Sequence, residues 1–326
     1  MREPRLLLLD SASLYFRAFY GVPDQRRSPA EPPTNAVRGF LDMIATLVTA
    51  HRPTEMVACW DNDWRPQWRV DLIPSYKTHR LAQTAPVEAV VEAPDQAHPA
   101  TGVGEEVPDD LEPQVPLIVD ALEAFGIARI GVDRYEADDV IGSLVARHKG
   151  RVPIDVVTGD RDLLQLVDDA AGVRVLYTGK GGVREPDIAT QGYLQERYAV
   201  PSGEAYLEMS ILRGDTSDGL PGVKGIGDKT AALLIGEFGS LAGLRAALES
   251  GDPRLKGARR SNLEAGLAYL EVAPTVVRVA PDVPLPDVPL TLPTAVADTR
   301  LLSRLASEYG LTSPINRVLA ALDLGH

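Results

Sequence analysis

The stretch that decides the fold is Leu6-Leu-Leu-Leu-Asp10-Ser11, a short apolar run that ends in an acid and leads into a helical pattern. Residues 56–60, 154–157 and 173–177 are apolar runs of the same kind, and segments with helical periodicity separate them. Short runs that are apolar throughout are typical of parallel strands buried on both faces. The pattern predicts an α/β fold with a mainly parallel sheet flanked by helices.

Three of the intervening helices are predicted over residues 36–50, 116–125 and 137–148. Gly126 and Gly150 close the last two, since a glycine just past the last periodic residue commonly ends a helix. From about residue 191 strand patterns cease and helical patterns dominate. We predict an α/β domain over residues 1–180 and a helical domain over residues 181–326.

Residues 81–113 differ from both domains. Ala, Pro, Glu and Val dominate there without a clear period, and residues 81–112 hold eight acids and no Lys or Arg. Such composition favours a mobile insertion rather than a packed element.

Composition excludes several classes of site. The 326 residues include one cysteine, Cys59, and five scattered histidines, which excludes an internal disulfide and argues against a zinc site. No apolar run approaches the ~20 residues that cross a bilayer, and the run that ends at Leu9 is too short for a signal-peptide core. We expect a cytoplasmic protein without a membrane partner, in which any bound metal has oxygen ligands.

The formal net charge of −13 argues by itself against a polyanionic partner. The insertion and a few short acidic motifs account for more than this excess, so the rest of the chain is net positive. An acidic protein of this kind can still offer a basic binding surface.

Those acidic motifs lie where a parallel sheet would bring them together. Three predicted strands lead directly into acids, and ligands of open parallel sheets bind beyond the carboxyl ends of the strands. A further cluster, Glu136 to Asp139, stands at a predicted helix start. Another consists of Asp215 and Asp218, which are three residues apart and so lie on one helical face. The nine acids are Asp10, Asp61, Glu136, Asp138, Asp139, Asp160, Asp162, Asp215 and Asp218.

Each cluster also has a simpler explanation, because acids in a first helical turn are commonly caps. Their number favours a metal site instead. Nine carboxylates at one sheet edge would repel each other unless cations lay between them. Hard oxygen ligands favour Mg²⁺ or Mn²⁺, and two such ions about 4 Å apart can act on both the attacking and the leaving oxygen of a phosphodiester.

Residues 63–80 interleave cations with aromatic residues, and Tyr76 stands beside Lys77 and near Arg80. This arrangement suits a phosphate chain whose bases can stack. Trp64 and Trp68, four residues apart, are expected to pack a helix onto the core instead.

Residues 222–229, Gly-Val-Lys-Gly-Ile-Gly-Asp-Lys, are typical of a tight turn between two helices. Residues 221–260 carry seven Lys or Arg against four acids, so the chain is locally basic there. Backbone amides at a helix start together with cations predict a clamp on a duplex backbone that reads no sequence.

Together these motifs resemble those of the bacterial 5′–3′ exonucleases and 5′-flap endonucleases, which are related to the N-terminal nuclease domain of DNA polymerase I. The resemblance covers about residues 5–250, and the chain length suggests the free-standing form. The matching stretches occur in the family's order: Asp10-Ser-Ala-Ser-Leu-Tyr-Phe-Arg17, Trp60-Asp61, Tyr76-Lys77-Thr-His-Arg80, Glu136-Ala-Asp138-Asp139, Thr-Gly-Asp160-Arg-Asp162, Gly214-Asp215-Thr-Ser-Asp218 and the glycine-rich turn.

The resemblance implies a PIN-like domain with an arch above the metal site, and a helix-three-turn-helix at about 214–236 that grips duplex DNA, often with K⁺. It assigns the first metal to Asp10, Asp61, Glu136 and Asp138. The second group would be Asp139, Asp160, Asp162, Asp215 and Asp218. Phosphate contacts would come from Lys77, Arg80 and Arg17, base stacking from Tyr76, and duplex binding from Gly222, Lys224, Gly225, Gly227 and Lys229.

The implied activity is hydrolysis of DNA at 5′ ends and 5′ flaps by a monomer with two Mg²⁺ or Mn²⁺ ions, in replication and repair. An RNA primer is a further candidate substrate. The alternatives are a PIN-like ribonuclease and a non-catalytic DNA-binding scaffold. The sequence departs from the family at Gly219, where Asn is common, at Phe16, where Tyr is frequent, and in the long insertion within the arch.

Overall fold

A six-stranded sheet forms the centre of the N-terminal domain. The computed structural model describes residues 3–26, 28, 30–80 and 108–324. Its strand order is β3-β2-β1-β4-β5-β6, with the first five parallel and β6 antiparallel to β5, which confirms the predicted mixed and mainly parallel sheet. The strands are β1 (Leu6–Asp10), β2 (Glu55–Trp60), β3 (Ala128–Gly131), β4 (Ile154–Thr158), β5 (Val173–Tyr177) and β6 (Asp187–Ala189).

The deciding stretch is the central strand. Leu6, Leu7, Leu8 and Leu9 are fully buried between β2 and β4. Successive side chains of a strand point to opposite faces, so Leu6 and Leu8 enter one apolar cluster and Leu7 and Leu9 enter the other. Burial on both faces explains why this strand has no polar alternation.

Helices cover both faces of the sheet and form the second domain. The described helices are α1 (Ser11–Gly21), α2 (Asn35–His51), α3 (Gln67–Leu72), α4 (Gln114–Phe125), α5 (Ala137–His148), α6 (Gln191–Tyr198), α7 (Gly203–Arg213), α8 (Asp228–Phe238), α9 (Leu241–Glu249), α10 (Gly257–Ala265), α11 (Leu267–Val277), α12 (Thr299–Glu308) and α13 (Thr312–Ala321). The three helices predicted from periodicity are present as α2, α4 and α5.

The last two helices return to the first domain. Leu302, Leu305 and Ile315 belong to the same apolar cluster as β1 residues Leu7 and Leu9. The sheet also extends beyond residue 180, where the domain division was predicted, because β6 pairs with β5. This three-residue edge strand is too short to leave a pattern in the sequence.

Residues 81–107 of the predicted 81–113 insertion lie outside the described residues. The remaining part, from residue 108, packs onto the domain: Leu111 is fully buried, and Asp110 pairs with Arg26 at 2.7 Å. In the described part of the chain no single helix is long and apolar enough to cross a membrane. Helices α8 and α9 are long and apolar enough only when they are taken together, and the chain bends by 77° between them.

Candidate active site

An acidic cleft lies at the carboxyl ends of the central strands. Asp10 is the last residue of β1, Asp61 follows β2, and Asp160 follows β4. Glu136 and Asp138 at the start of α5 complete the acidic lining of this cleft of about 250 Å³. The strand order reverses between β1 and β4, which is where open α/β sheets bind their ligands.

The backbone and neighbouring hydroxyls fix the two acids at the strand ends. The hydroxyl of Thr158 donates to Asp10 Oδ2 at 2.6 Å, and the Ser13 amide donates to Asp10 Oδ1 at 3.1 Å, so Asp10 also caps α1. The amide of Ala137 donates to Asp61 Oδ1 at 2.8 Å. The sheet therefore holds both carboxylates at the cleft floor.

Burial of these carboxylates disfavours their ionised forms. Burial raises the pKa of Asp10 to about 6 and that of Asp61 to about 7, despite hydrogen bonds that act in the opposite direction. Burial also raises the pKa of Asp138, and the nearby charges of Asp10 and Asp160 add to the effect. A bound cation would relieve this repulsion.

A second group of acids adjoins the first. Burial raises the pKa of Asp162, and the charges of Asp160 and Asp218 raise it further. Burial also raises the pKa of Asp218, against the lowering effect of Lys77 and Arg80. Asp215 accepts from the Ser217 amide at 2.8 Å and caps the short turn that carries Asp218.

Residues 67–80, which precede the insertion and are called the arch base here, supply two cations that line the cleft. Lys77 Nζ lies 2.6 Å from Glu136 Oε2, and Arg80 Nη2 lies 2.6 Å from Asp218 Oδ1. Lys77 is buried and adopts φ of 49°, a backbone conformation that residues other than glycine rarely take. Its amide donates to the Asp218 carbonyl at 2.9 Å, which attaches the arch base to the second acidic group.

Comparison with known proteins agrees with this geometry. Residues 5–199 match the 5′-3′ exonuclease N-terminal resolvase-like domain, and residues 202–299 match the 5′-3′ exonuclease C-terminal SAM fold. The chain is 54% identical to a 5′-3′ exonuclease of Streptomyces coelicolor over 97% of this chain and 99% of the relative. The chain belongs to the 5′–3′ exonuclease family.

More distant relatives carry the same unit. The exonuclease is 35% identical to DNA polymerase I of Mycobacterium bovis over 89% of this chain and 29% of the polymerase. Among solved structures, the T5 D15 protein co-crystallised with metal ions shares its fold with a TM-score of 0.62 at 18% identity, over 98% of this chain and 99% of that one. The predicted resemblance and fold class are thereby confirmed.

Tyr76 does not have the predicted stacking role in this structure. Its ring is only 4% exposed, and its hydroxyl donates to Glu136 Oε1 at 2.8 Å. In this position the ring is not accessible to a base, so base stacking stays a prediction. The same hydroxyl lies 3.1 Å from Glu136 Oε2, so Tyr76 contacts both oxygens of this carboxylate.

The predicted metal ligand Asp139 is also held by protein partners in this structure, and its role as a ligand stays a prediction. Its oxygens accept two hydrogen bonds from Arg69, at 2.6 and 2.7 Å, and one from the Ala280 amide at 2.8 Å. Asp139 Oδ2 also accepts from the Glu136 amide at 3.2 Å, so the capping alternative holds for this residue. Burial acts to lower the pKa of Arg69, but the charges of Glu136 and Asp139 raise it overall.

Arg17 and the glycine-rich turn lie outside the cleft lining. Arg17 Nη2 donates to the carbonyls of Thr178 and Gly179. In the turn, Gly222 has φ of +63°, and a Cβ there would lie 2.3 Å from the Arg213 carbonyl oxygen. The predicted DNA contacts of Gly225, Gly227, Lys224 and Lys229 stay predictions, with both lysines exposed at the start of α8.

Gly219 is explained by close packing. A Cβ at this position would lie 1.9 Å from the Ser75 carbonyl oxygen, and φ is +68°. Ser75 Oγ also donates to the Gly219 carbonyl at 2.6 Å. Asn, which is common here in the family, would collide with the arch base, so the exonuclease requires glycine.

The donor chemistry of the cleft fits hard divalent cations, because every candidate ligand is a carboxylate oxygen. As the side chains stand, no three His, Cys, Asp or Glu groups within the described residues are close enough to share one ion. Several of the carboxylate oxygens contact protein cations instead, as Glu136 contacts Lys77 and Asp218 contacts Arg80. Cation binding therefore requires these acids to exchange protein partners for the ion.

Sequence reasoning missed three residues of the site. Thr158 and Ser13 hold Asp10, and Trp64 lines the cleft rather than the core. Thr158 directly follows a predicted strand and Ser13 lies in the quoted motif, so the sequence could have indicated both residues. No sequence signal placed Trp64 in the cleft, because its spacing from Trp68 suits a buried helix face equally well.

Proposed function

We propose that this 5′–3′ exonuclease hydrolyses DNA phosphodiesters in the acidic cleft, at 5′ ends and at 5′ flaps. The observation that carries the proposal is the meeting of Asp10, Asp61, Glu136, Asp138 and Asp160 in one cleft with Lys77 and Arg80 on its wall. Carboxylates hold divalent cations, and the two cationic side chains hold a phosphate. This combination suits phosphodiester hydrolysis better than any chemistry that needs a side-chain nucleophile.

Mg²⁺ or Mn²⁺ is the proposed cofactor and, when bound, would supply Lewis acidity at the scissile phosphate. Asp10, Asp61, Glu136 and Asp138 would hold one ion. Asp160, Asp162, Asp215 and Asp218 would hold the second, some of them through water. Burial raises the pKa of Asp10 to about 6 and that of Asp61 to about 7, and a bound cation would favour the ionised form of both carboxylates.

Lys77 and Arg80 are the proposed phosphate contacts. In the structure each pairs with an acid of the cleft, Lys77 with Glu136 and Arg80 with Asp218. When those acids turn to a cation, the ammonium and guanidinium become available to a phosphate in the same cleft. Their role would be to offset negative charge that develops on the phosphate during hydrolysis. Arg17 remains a proposed phosphate contact further along the DNA strand.

The glycine-rich turn is the proposed duplex clamp. Val223 and Ile226 are buried and anchor the turn, whereas Lys224 and Lys229 are exposed. In the described residues no side chain caps the first turn of α8, so its amides are suited to a phosphate. We also propose that K⁺ can bind at this turn and that the protein acts as a monomer.

The test is cleavage of a labelled 5′-flap DNA and the matched RNA flap with Mg²⁺ and then Mn²⁺. Replacement of Asp138 by Asn should abolish DNA cleavage and leave flap binding within about twofold, while replacement of exposed Asp287 by Asn should change neither. Undiminished turnover by the Asp138 variant would refute the metal assignment. Cleavage of the RNA flap alone would favour a ribonuclease, and binding without any cleavage would favour a scaffold.

A further inference from the structure

One buried guanidinium joins the acidic cleft to the helical domain. Arg69, in α3 at the base of the arch, is only 2% exposed. Its Nη1 and Nη2 donate to the two oxygens of Asp139, and its Nε donates to the Val276 carbonyl at 2.9 Å. The Arg69 side chain thus contacts α5 of the first domain and the last turn of α11 of the second.

The two contacted helix ends are electrostatically suited to this position. The last carbonyls of a helix lack intrahelical partners and carry partial negative charge, so a cation beside Val276 stabilises the end of α11. Asp139 stands in the first turn of α5 and also accepts from the Ala280 amide at 2.8 Å, just beyond α11. The chain after α11 is therefore attached to α5 through both members of the Arg69–Asp139 pair.

The same guanidinium reaches a proposed metal ligand. Arg69 Nη1 lies 3.5 Å from Glu136 Oε1, the oxygen that also accepts from the Tyr76 hydroxyl. Glu136 Oε2 faces Lys77 in the cleft. The Tyr76 hydroxyl also lies 3.1 Å from Oε2, so Arg69 and Tyr76 both hold this carboxylate while Oε2 contacts Lys77.

We propose that Arg69 is a positioning residue, which clamps Asp139 and Glu136 and so holds the first turn of α5, with the ligands Glu136 and Asp138, in register with Asp10 and Asp61. This inference rests on the proposed function of the cleft. It gives Asp139 a role without contact to a metal ion. It also makes the orientation of the ligands depend on the attachment of α11 to α5.

Loss of a purely structural ion pair would lower stability alone, whereas loss of a positioning residue would also weaken metal binding. The chain offers a control in Arg174, a partly exposed residue whose guanidinium also pairs through two nitrogens with a buried acid, Asp155, at 2.7 and 3.1 Å. Asp155 also pairs with Arg5 at 2.8 Å. Asp155 lies near the start of β4, at the opposite end of this strand from the cleft. Loss of either pair should lower thermal stability, but only loss of the Arg69 pair should disturb the ligands.

The experiment measures Mn²⁺ binding to the full chain without DNA, by electron paramagnetic resonance, for wild type, Arg69→Gln, Arg69→Lys and Arg174→Gln. Residues that orient metal ligands typically contribute 10–100-fold to metal affinity. We expect Arg69→Gln to weaken Mn²⁺ binding by about tenfold or more with the same number of ions bound, and Arg174→Gln to stay within about twofold. Arg69→Lys, which keeps the charge but loses the two-pronged contact, should lie between wild type and Arg69→Gln.

Cleavage provides the second readout. Saturating Mn²⁺ should restore most of the turnover of Arg69→Gln, since the ligands themselves are intact, whereas Asp138→Asn should not recover. Unchanged Mn²⁺ affinity in Arg69→Gln, or an equal loss in Arg174→Gln, would overturn the proposal. So would Asp139→Asn binding fewer ions than Arg69→Gln, because that result would make Asp139 a ligand. If Arg69→Gln does not fold, the comparison of Arg69→Lys with Arg174→Gln decides by the same criterion. Failure of the wild type to bind Mn²⁺ would instead refute the proposed function.

Discussion

Replacement of Asp61 by Asn should stabilise the metal-free exonuclease although it removes a proposed ligand. Burial raises the pKa of Asp61 from its ordinary value of 3.8 to about 7. That difference corresponds to an upper limit of roughly 4 kcal/mol by which the ionised carboxylate destabilises the folded state. Because Asp61 is only partly buried, screening by solvent reduces the expected gain to about 2 kcal/mol at pH 8.

The sign of the pH dependence follows from the direction of this shift. The pKa of Asp61 is higher in the folded than in the unfolded state, so its contribution to stability is fully present below about pH 4. That contribution is lost as the pH rises through about 7. The advantage of the Asn variant should therefore be clearly smaller at pH 5 than at pH 8. Asn can still accept the hydrogen bond from the Ala137 amide, which limits any structural cost.

The assay is the free energy of unfolding in denaturant, measured in the presence of a chelator at pH 5 and pH 8. The control is Asp287→Asn, at an exposed position where the same change should have no effect at either pH. The reasoning is refuted if the Asp61 variant is less stable than wild type at pH 8. A gain of equal size at both pH values would also refute it, because the gain would then not come from a buried charge.

Three further predictions concern other parts of the site. Lys224→Gln together with Lys229→Gln should lower the slope of log binding constant against log salt by about 2 for duplex DNA, measured by fluorescence anisotropy, and an unchanged slope would reject the clamp. Gly219→Asn should cost about 1–3 kcal/mol in chemical denaturation, because its Cβ would lie 1.9 Å from the Ser75 carbonyl oxygen; a neutral result would show that the arch base can move away. Tyr76→Phe should lose about 1 kcal/mol of stability with its hydrogen bond to Glu136, whereas a base-stacking Tyr76 would tolerate Phe without loss.

The acids at the strand ends could be predicted from the sequence because their positions depend only on neighbouring residues in the chain. Leu6 to Leu9 can only form a strand that is buried on both faces, and such a strand places Asp10 at the carboxyl edge of a parallel sheet. The same argument located Asp61 and Asp160. It needed no knowledge of which helices cover the sheet.

The roles of Asp138 and Asp139 could not be separated in this way. The two residues are adjacent in the first turn of α5, and both are reasonable as caps or as ligands. What distinguishes them is Arg69, which lies 70 residues away in the sequence and approaches only Asp139 closely. The burial of Tyr76 could not be predicted for a similar reason, since it depends on packing between α3 and the rest of the core.

The most direct test of the two-cation cleft is anomalous X-ray diffraction at the manganese edge from crystals of the wild-type protein soaked in Mn²⁺. We expect density for two ions, one between the carboxylates of Asp10, Asp61, Glu136 and Asp138 and one near Asp160, Asp162 and Asp218. Manganese bound elsewhere, with these side chains still directed to their protein partners, would contradict the assignment.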